Sequence, residues 1–211
     1  MSSPTWVASW MGVVKPRDNP VVLDWGTRFK IAIGSAKGLA HIHEKYDGTF
    51  EHGNIKASNI FLNSKQYGCC LGNPTPLNFK MSRYHPPEVS SNKMLSQKSD
   101  IYSFGVFLIE LVSGRSPTLS TGRFKSYVDW ARYFYREEWA FLIYDIRFWN
   151  IFKEKEMRGK KQMFDMLQIA MSCVRDIPTM RPNMNIVVEM IYKSMAEPPL
   201  IFFKKYAKWI D

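Results

Sequence analysis

The stretch richest in reactive side chains is Glu51-His52-Gly53-Asn54-Ile55-Lys56-Ala57-Ser58-Asn59, which runs into the apolar Ile60-Phe61-Leu62. After the turn formers Asn63-Ser64-Lys65-Gln66 comes a second short run, Tyr67-Gly68-Cys69-Cys70-Leu71. This order predicts a polar loop, a strand, a tight connection and a returning strand. The loop gathers an imidazole, an ammonium and two carboxamides. At its centre Asn54 has an amide nitrogen without a usable lone pair, so it cannot take a proton near neutral pH.

The spacing of His52, Lys56 and Asn59 resembles the protein kinase pattern His-Arg-Asp-Leu-Lys-x-x-Asn, in which the Asp orients and deprotonates the substrate hydroxyl and the Asn holds magnesium. Against that pattern the Arg has become Gly53 and the Asp has become Asn54. A metal-binding Asp-Phe-Gly should follow the second strand, but alignment on Tyr67-Gly68-Cys69-Cys70-Leu71 puts Gly72-Asn73-Pro74 there. Glycine offers no carboxylate to magnesium, and proline removes the backbone freedom of a glycine. The resemblance therefore implies no catalytic residue, with Asn54 at the degenerate position. It leaves Lys56 and Asn59 as vestigial nucleotide contacts.

Other segments continue the resemblance in order. Leu23-Asp24-Trp25, Arg28 and Ala36-Lys37-Gly38-Leu39-Ala40-His41-Ile42-His43 resemble the central lower-lobe helix of plant leucine-rich-repeat receptor-like kinases. Tyr84-His85-Pro86-Pro87-Glu88 is similar to the Ala-Pro-Glu signature, and the resemblance implies that Glu88 pairs with Arg181. Lys98-Ser99-Asp100-Ile101-Tyr102-Ser103-Phe104-Gly105 is the most specific match. It implies a buried helix whose Asp100 holds the backbone of the loop containing His52, and the surrounding match favours that role over the alternative of a plain helix N-cap. Thr75 and Ser82 could accept phosphate, but Gly53 removes the arginine that would receive an activating one.

The elements that must position this loop are mostly helical. Apolar residues recur at three-to-four spacing in Trp25, Phe29, Ala32, Ile33, Ala36, Leu39 and Ala40, predicting a helix from Asp24 to about Lys45. Lys98 to Leu111 is apolar nearly all round, as a buried helix is, and Gly114 stops it. Further helices are predicted over 126–138 with Val128, Trp130, Ala131, Tyr133 and Phe134, and over 155–175 with Met163, Met166, Leu167, Ile169, Ala170 and Cys173. A last one covers 183–195 with Ile186, Val187, Met190 and Ile191 inward. The fold expected is mainly α: a kinase-like C-terminal lobe, a helical bundle with a small β-hairpin, over residues 23–196, without an N-terminal lobe. Residues 1–22 read as irregular and 197–211 as a basic aromatic tail. Only nine residues separate Lys15 from Trp25, and no glycine-rich phosphate loop precedes Lys15.

Composition narrows the function classes. The chain has 211 residues, 45% of them apolar, enough for one well-cored domain. No run approaches a membrane span of about 20 residues, and the start has no signal-peptide pattern. The net charge of +10 is spread over scattered Lys and Arg without a nucleic-acid motif, which reads as a solvated basic face. Cys69, Cys70 and Cys173 form no disulfide framework, which fits a reducing compartment. His41 and His43, two apart on a helix, face different ways and do not form a ligand pair.

Together these features lead to the expectation of a catalytically inactive, kinase-like module. It binds other proteins, receptor-like kinases first, in the cytoplasm or at the inner face of the plasma membrane through those partners. No nucleic acid and no cofactor is expected, and self-association is open through an exposed apolar face around Phe61 and Leu71. The alternatives are a residual serine/threonine kinase, which would use ATP and magnesium, and a fragment of a longer receptor-like kinase.

Overall fold

A computed structural model describes residues 23–45, 50–62, 68–72, 74, 82–92, 94–117, 122–137, 139–149 and 157–196. The segments 1–22 and 197–211, with Lys15, lie outside these residues, as do Asn73 and Thr75.

Helix α1 (Trp25–Lys45) starts where Asp24 caps it: the Thr27 amide donates to Asp24 Oδ1 at 2.8 Å. Its face of Trp25, Phe29, Ile31, Ala32, Ala36 and Leu39 is buried. A loop then leads through a 3-10 turn (Ala57–Asn59) into β1 (Ile60–Leu62), which pairs antiparallel with β2 (Gly68–Leu71). The two strands form a single hairpin packed on α1. Phe61 and Leu71 are half-buried, and Leu62 and Leu71 pack against the core. The hairpin face is therefore less open than expected, because α1 covers part of it.

After α2 (Pro87–Asn92) comes α3 (Gln97–Ser113), the axis of the fold, with every residue from Ser99 to Ser113 buried. The Ser96 side chain accepts from the Ser99 amide and the Ser99 hydroxyl accepts from the Ser96 amide, a reciprocal cap. Ser96, not Asp100, is thus the N-cap, which leaves the Asp100 carboxylate free for other work. Gly114 ends the helix in the left-handed region at φ 65°, its amide donating to Glu110 O.

Helices α4 (Tyr127–Arg136), α5 (Ile146–Trp149), α6 (Met157–Cys173) and α7 (Met184–Ala196) complete the bundle. Helix α6 packs on α3, and α7 packs on α1 and α6. All six core positions expected on α6 are buried. On α7 one expectation fails: Ile186 is 45% exposed. The inward positions are Met184, Val187, Ile191 and Ser194, a three-four-three spacing that turns residue 186 to the outer side. Among the described residues no helix is long and apolar enough to cross a membrane.

Candidate functional site

The loop between α1 and β1 is held from below by one carboxylate. Asp100 is fully buried, and its Oδ2 accepts from the His52 amide while Oδ1 accepts from the Gly53 amide, both at 2.7 Å. His43 from α1 donates to the same Oδ2 from Nε2 at 3.0 Å. Three donors from two separate segments converge on an acceptor-only group, which satisfies a buried charge. His43 is therefore a core residue, and His41, its neighbour by two, is exposed.

Gly53 has φ 68°, a left-handed conformation that costs a side-chain-bearing residue about 1–2 kcal/mol. Its carbonyl accepts from His85 Nε2 at 3.0 Å, tying the loop to the segment that precedes α2. His52 donates from Nε2 to the Gly72 carbonyl at 2.9 Å, and its Nδ1 accepts from the Asn54 amide at 3.3 Å. One tautomer, protonated at Nε2, serves both contacts.

Asn54 and Lys56 are half-buried, whereas Asn59 is buried. The Asn59 Nδ2 donates to the Asn54 carbonyl at 3.0 Å, and its own carbonyl accepts from the Gly72 amide at 2.8 Å. A Cβ placed on Gly72 would lie 1.9 Å from Asn59 Oδ1, 2.7 Å from its Cγ and 3.0 Å from Phe61 Cε2. Position 72 thus has no room for a side chain while Asn59 stays where it is. The magnesium that a phosphotransfer loop would carry does not fit this donor set: Asn59 remains, but position 72, which would supply the metal carboxylate, bears only a hydrogen atom.

Two further anchors frame the site. Glu88 Oε1 and Oε2 accept from Arg181 Nη1 and Nη2 at 2.5 and 3.0 Å, a bidentate pair. The Arg181 side chain is wholly buried and donates also to the carbonyls of Arg175 and Lys98. Lys98 in turn donates to the Arg181 carbonyl at 2.7 Å; burial, then the charge of Arg181, lowers its pKa. This cluster joins α2, the start of α3 and the 3-10 turn Pro178–Met180.

The second anchor has no periodic or motif signal pointing to its pairing. Arg28 on α1 is buried and donates to the carbonyls of Leu23 and Leu111 and to Asp145 Oδ2, the last at 2.8 Å. Asp145 also takes Arg147 Nε and Nη2 at 2.8 and 2.6 Å. Burial alone would raise the Asp145 carboxyl, but the hydrogen bonds from Arg147 and the charge of Arg28 outweigh it and hold it below the usual carboxylate range.

A third polar contact was equally hidden. Tyr84 donates from its hydroxyl to Glu110 Oε2, deep under the loop. Burial pushes the Glu110 carboxyl up to about 8, against a smaller opposing effect of that hydrogen bond. Ser103 donates to the Tyr84 carbonyl at 2.9 Å, so the residue is gripped at both ends.

A helical lobe with this loop, hairpin and set of anchors defines the chain as part of a phosphotransferase scaffold. The family model of the protein kinase domain matches residues 22–192, and the chain belongs to that family. Among its relatives is a probable inactive receptor kinase of Arabidopsis thaliana, 45% identical over 187 residues, covering 82% of this chain and 28% of the relative. A second probable inactive receptor kinase of the same plant is 34% identical over 80% of this chain and 27% of its own length. An inactive leucine-rich repeat receptor-like serine/threonine-protein kinase, again from Arabidopsis, is 35% identical over 81% of this chain and 28% of its own. The chain spans little more than a quarter of the length of these relatives.

Proposed function

We propose that this chain is a catalytically inactive protein kinase module that works by binding other proteins, among them receptor-like kinases, on the cytoplasmic side of the membrane. The observation that carries the reading is the loop's divided state. Its backbone is assembled on Asp100, yet Asn54 stands where a base would stand and Gly72 where a metal carboxylate would stand. Phosphoryl transfer is almost entirely positioning and charge stabilisation by metal. A scaffold with neither base nor metal carboxylate keeps a shaped surface and loses the reaction. Relatives named as inactive receptor kinases support the same reading.

Calorimetric titration of the chain with Mg-ATP tests it, paired with a phosphate-incorporation assay on a generic protein substrate. No binding heat and no incorporation is the expected result. Incorporation abolished by Lys56→Ala would establish a residual kinase instead. For the partner, size-exclusion chromatography with the kinase domain of a receptor-like kinase should give a co-eluting complex.

A further inference from the structure

We infer that the corner where α1, α6 and the end of α7 meet, together with residues 200–210 beyond it, docks on an anionic lipid bilayer. None of these residues belongs to the loop around His52, so the docking surface stands apart from that loop's chemistry.

Three helices bring cations to the last two turns of α7. Lys37 of α1 is exposed and holds its Nζ 4.9 Å from the centre of the Tyr192 ring. Lys30, seven residues earlier on α1 and therefore on the same stripe of that helix, is exposed as well. Lys193 is exposed beside Tyr192, and Arg158 of α6 donates from Nη2 to the Met195 carbonyl at 2.8 Å. Between these cations Tyr192 and Met195 are 43% and 39% exposed. The acidic residue of α7 is Glu189, about one turn before Lys193. Cations around exposed, partly apolar side chains match a bilayer surface, where Tyr keeps its ring in the apolar boundary and its hydroxyl in water.

The chain beyond α7 carries the matching pattern in its sequence. From Pro198 to Ile210 it has Lys204, Lys205 and Lys208 and no acidic residue. At about 100° per residue these lysines fall within an arc of about 100°, and Phe202, Phe203, Tyr206, Trp209 and Ile210 fall within about 120° on the other side. A segment of this kind seats its aromatic side chains between headgroups and acyl chains while its lysines meet anionic phosphates. The fold adds what composition lacks, because Lys37 and Lys193, far apart in the chain, share one corner with the point where this segment leaves α7. Each lysine held near an anionic surface strengthens binding about fivefold, so the segment and the corner reinforce one another.

Co-sedimentation of the full chain with vesicles tests the surface. Phosphatidylcholine vesicles with about 30% phosphatidylserine should bind at least about tenfold more tightly than pure phosphatidylcholine, and rising salt should weaken the binding. No binding, or equal binding to the two, would overturn the proposal. Lys204→Gln/Lys205→Gln/Lys208→Gln should weaken binding roughly 100-fold and Lys37→Gln/Lys193→Gln roughly 20-fold. Unchanged binding in either variant would sink the joint surface. Should Lys37→Gln/Lys193→Gln not fold, Lys193→Gln alone replaces it, with a loss of about fivefold expected and no loss counting against the corner. Brominated lipid should quench part of the tryptophan fluorescence, and Trp209→Ser should abolish that quenching; quenching that survives Trp209→Ser would refute insertion of the segment. Retention on heparin without vesicle binding would assign these cations to a different polyanion and overturn the proposal.

Discussion

The floor of the loop and its rim have opposite characters. On the floor, Asp100 is buried with three donors, and the same completeness recurs in Glu88 with Arg181 and in Arg28 with Asp145. On the rim, the position of the base carries Asn54 and the position of the metal carboxylate carries Gly72, so neither holds a carboxylate. The difference follows from what each charge does. A buried carboxylate that satisfies backbone amides is part of the fold, and deleting it strands its partners. A rim carboxylate serves a ligand, and replacing it disturbs little in the protein itself. Catalysis can therefore be lost while the lobe stands.

The most direct way to break this contrast is Asp100→Ala. It leaves two buried amides and His43 without an acceptor and should cost about 3–5 kcal/mol in urea unfolding. A cost under about 1 kcal/mol would mean that the floor is not an anchor. Next in size is Glu88→Ala, which leaves the Arg181 guanidinium buried without its carboxylate. Because Glu88 retains some exposure, about 2–4 kcal/mol is expected in the same measurement.

Glu110 sharpens the comparison, because its charge is suppressed and not paired. Its folded pKa of about 8 lies above the ordinary carboxyl value of 4.5, so its contribution is complete below about 4.5 and is lost as pH rises through about 8. Glu110→Gln should flatten the fall in unfolding free energy over that window relative to the natural chain; parallel curves would refute it. Asp145 works in the opposite sense. Its lowered pKa contributes stability above the ordinary range near 3.8 that disappears as pH falls below it.

The smallest effect belongs to the rim. Asn54→Asp should shift stability by less than about 1 kcal/mol and should restore no phosphate incorporation, because position 72 still lacks its partner carboxylate. Restored turnover in that single variant would erase the distinction between floor and rim.

Much of this architecture is legible in the residues alone. Periodic apolar residues mark α1, α4, α6 and α7 within two residues at each end, and the all-round apolar run marks α3. Ordered motifs place His52, Asp100, Glu88 and Arg181 in one scaffold. Short elements are not legible: α2, α5 and the 3-10 turns are too brief to show a repeat. Ile186 is misplaced by its pattern because the inward face of α7 uses a serine, Ser194, where an apolar repeat looks for a hydrophobe.

By itself, then, the sequence determined which long helices and which hairpin form, that a kinase lobe is their arrangement, and that Asn54 and Gly72 bear no carboxylates. These are properties of residue type and local spacing. Only the tertiary structure decided that Arg28 meets Asp145 across 117 positions, that Tyr84 reaches Glu110, and that Asn59 fills the space beside Gly72. Such contacts depend on how finished helices and loops close upon one another, and distance along the chain carries no record of that closure.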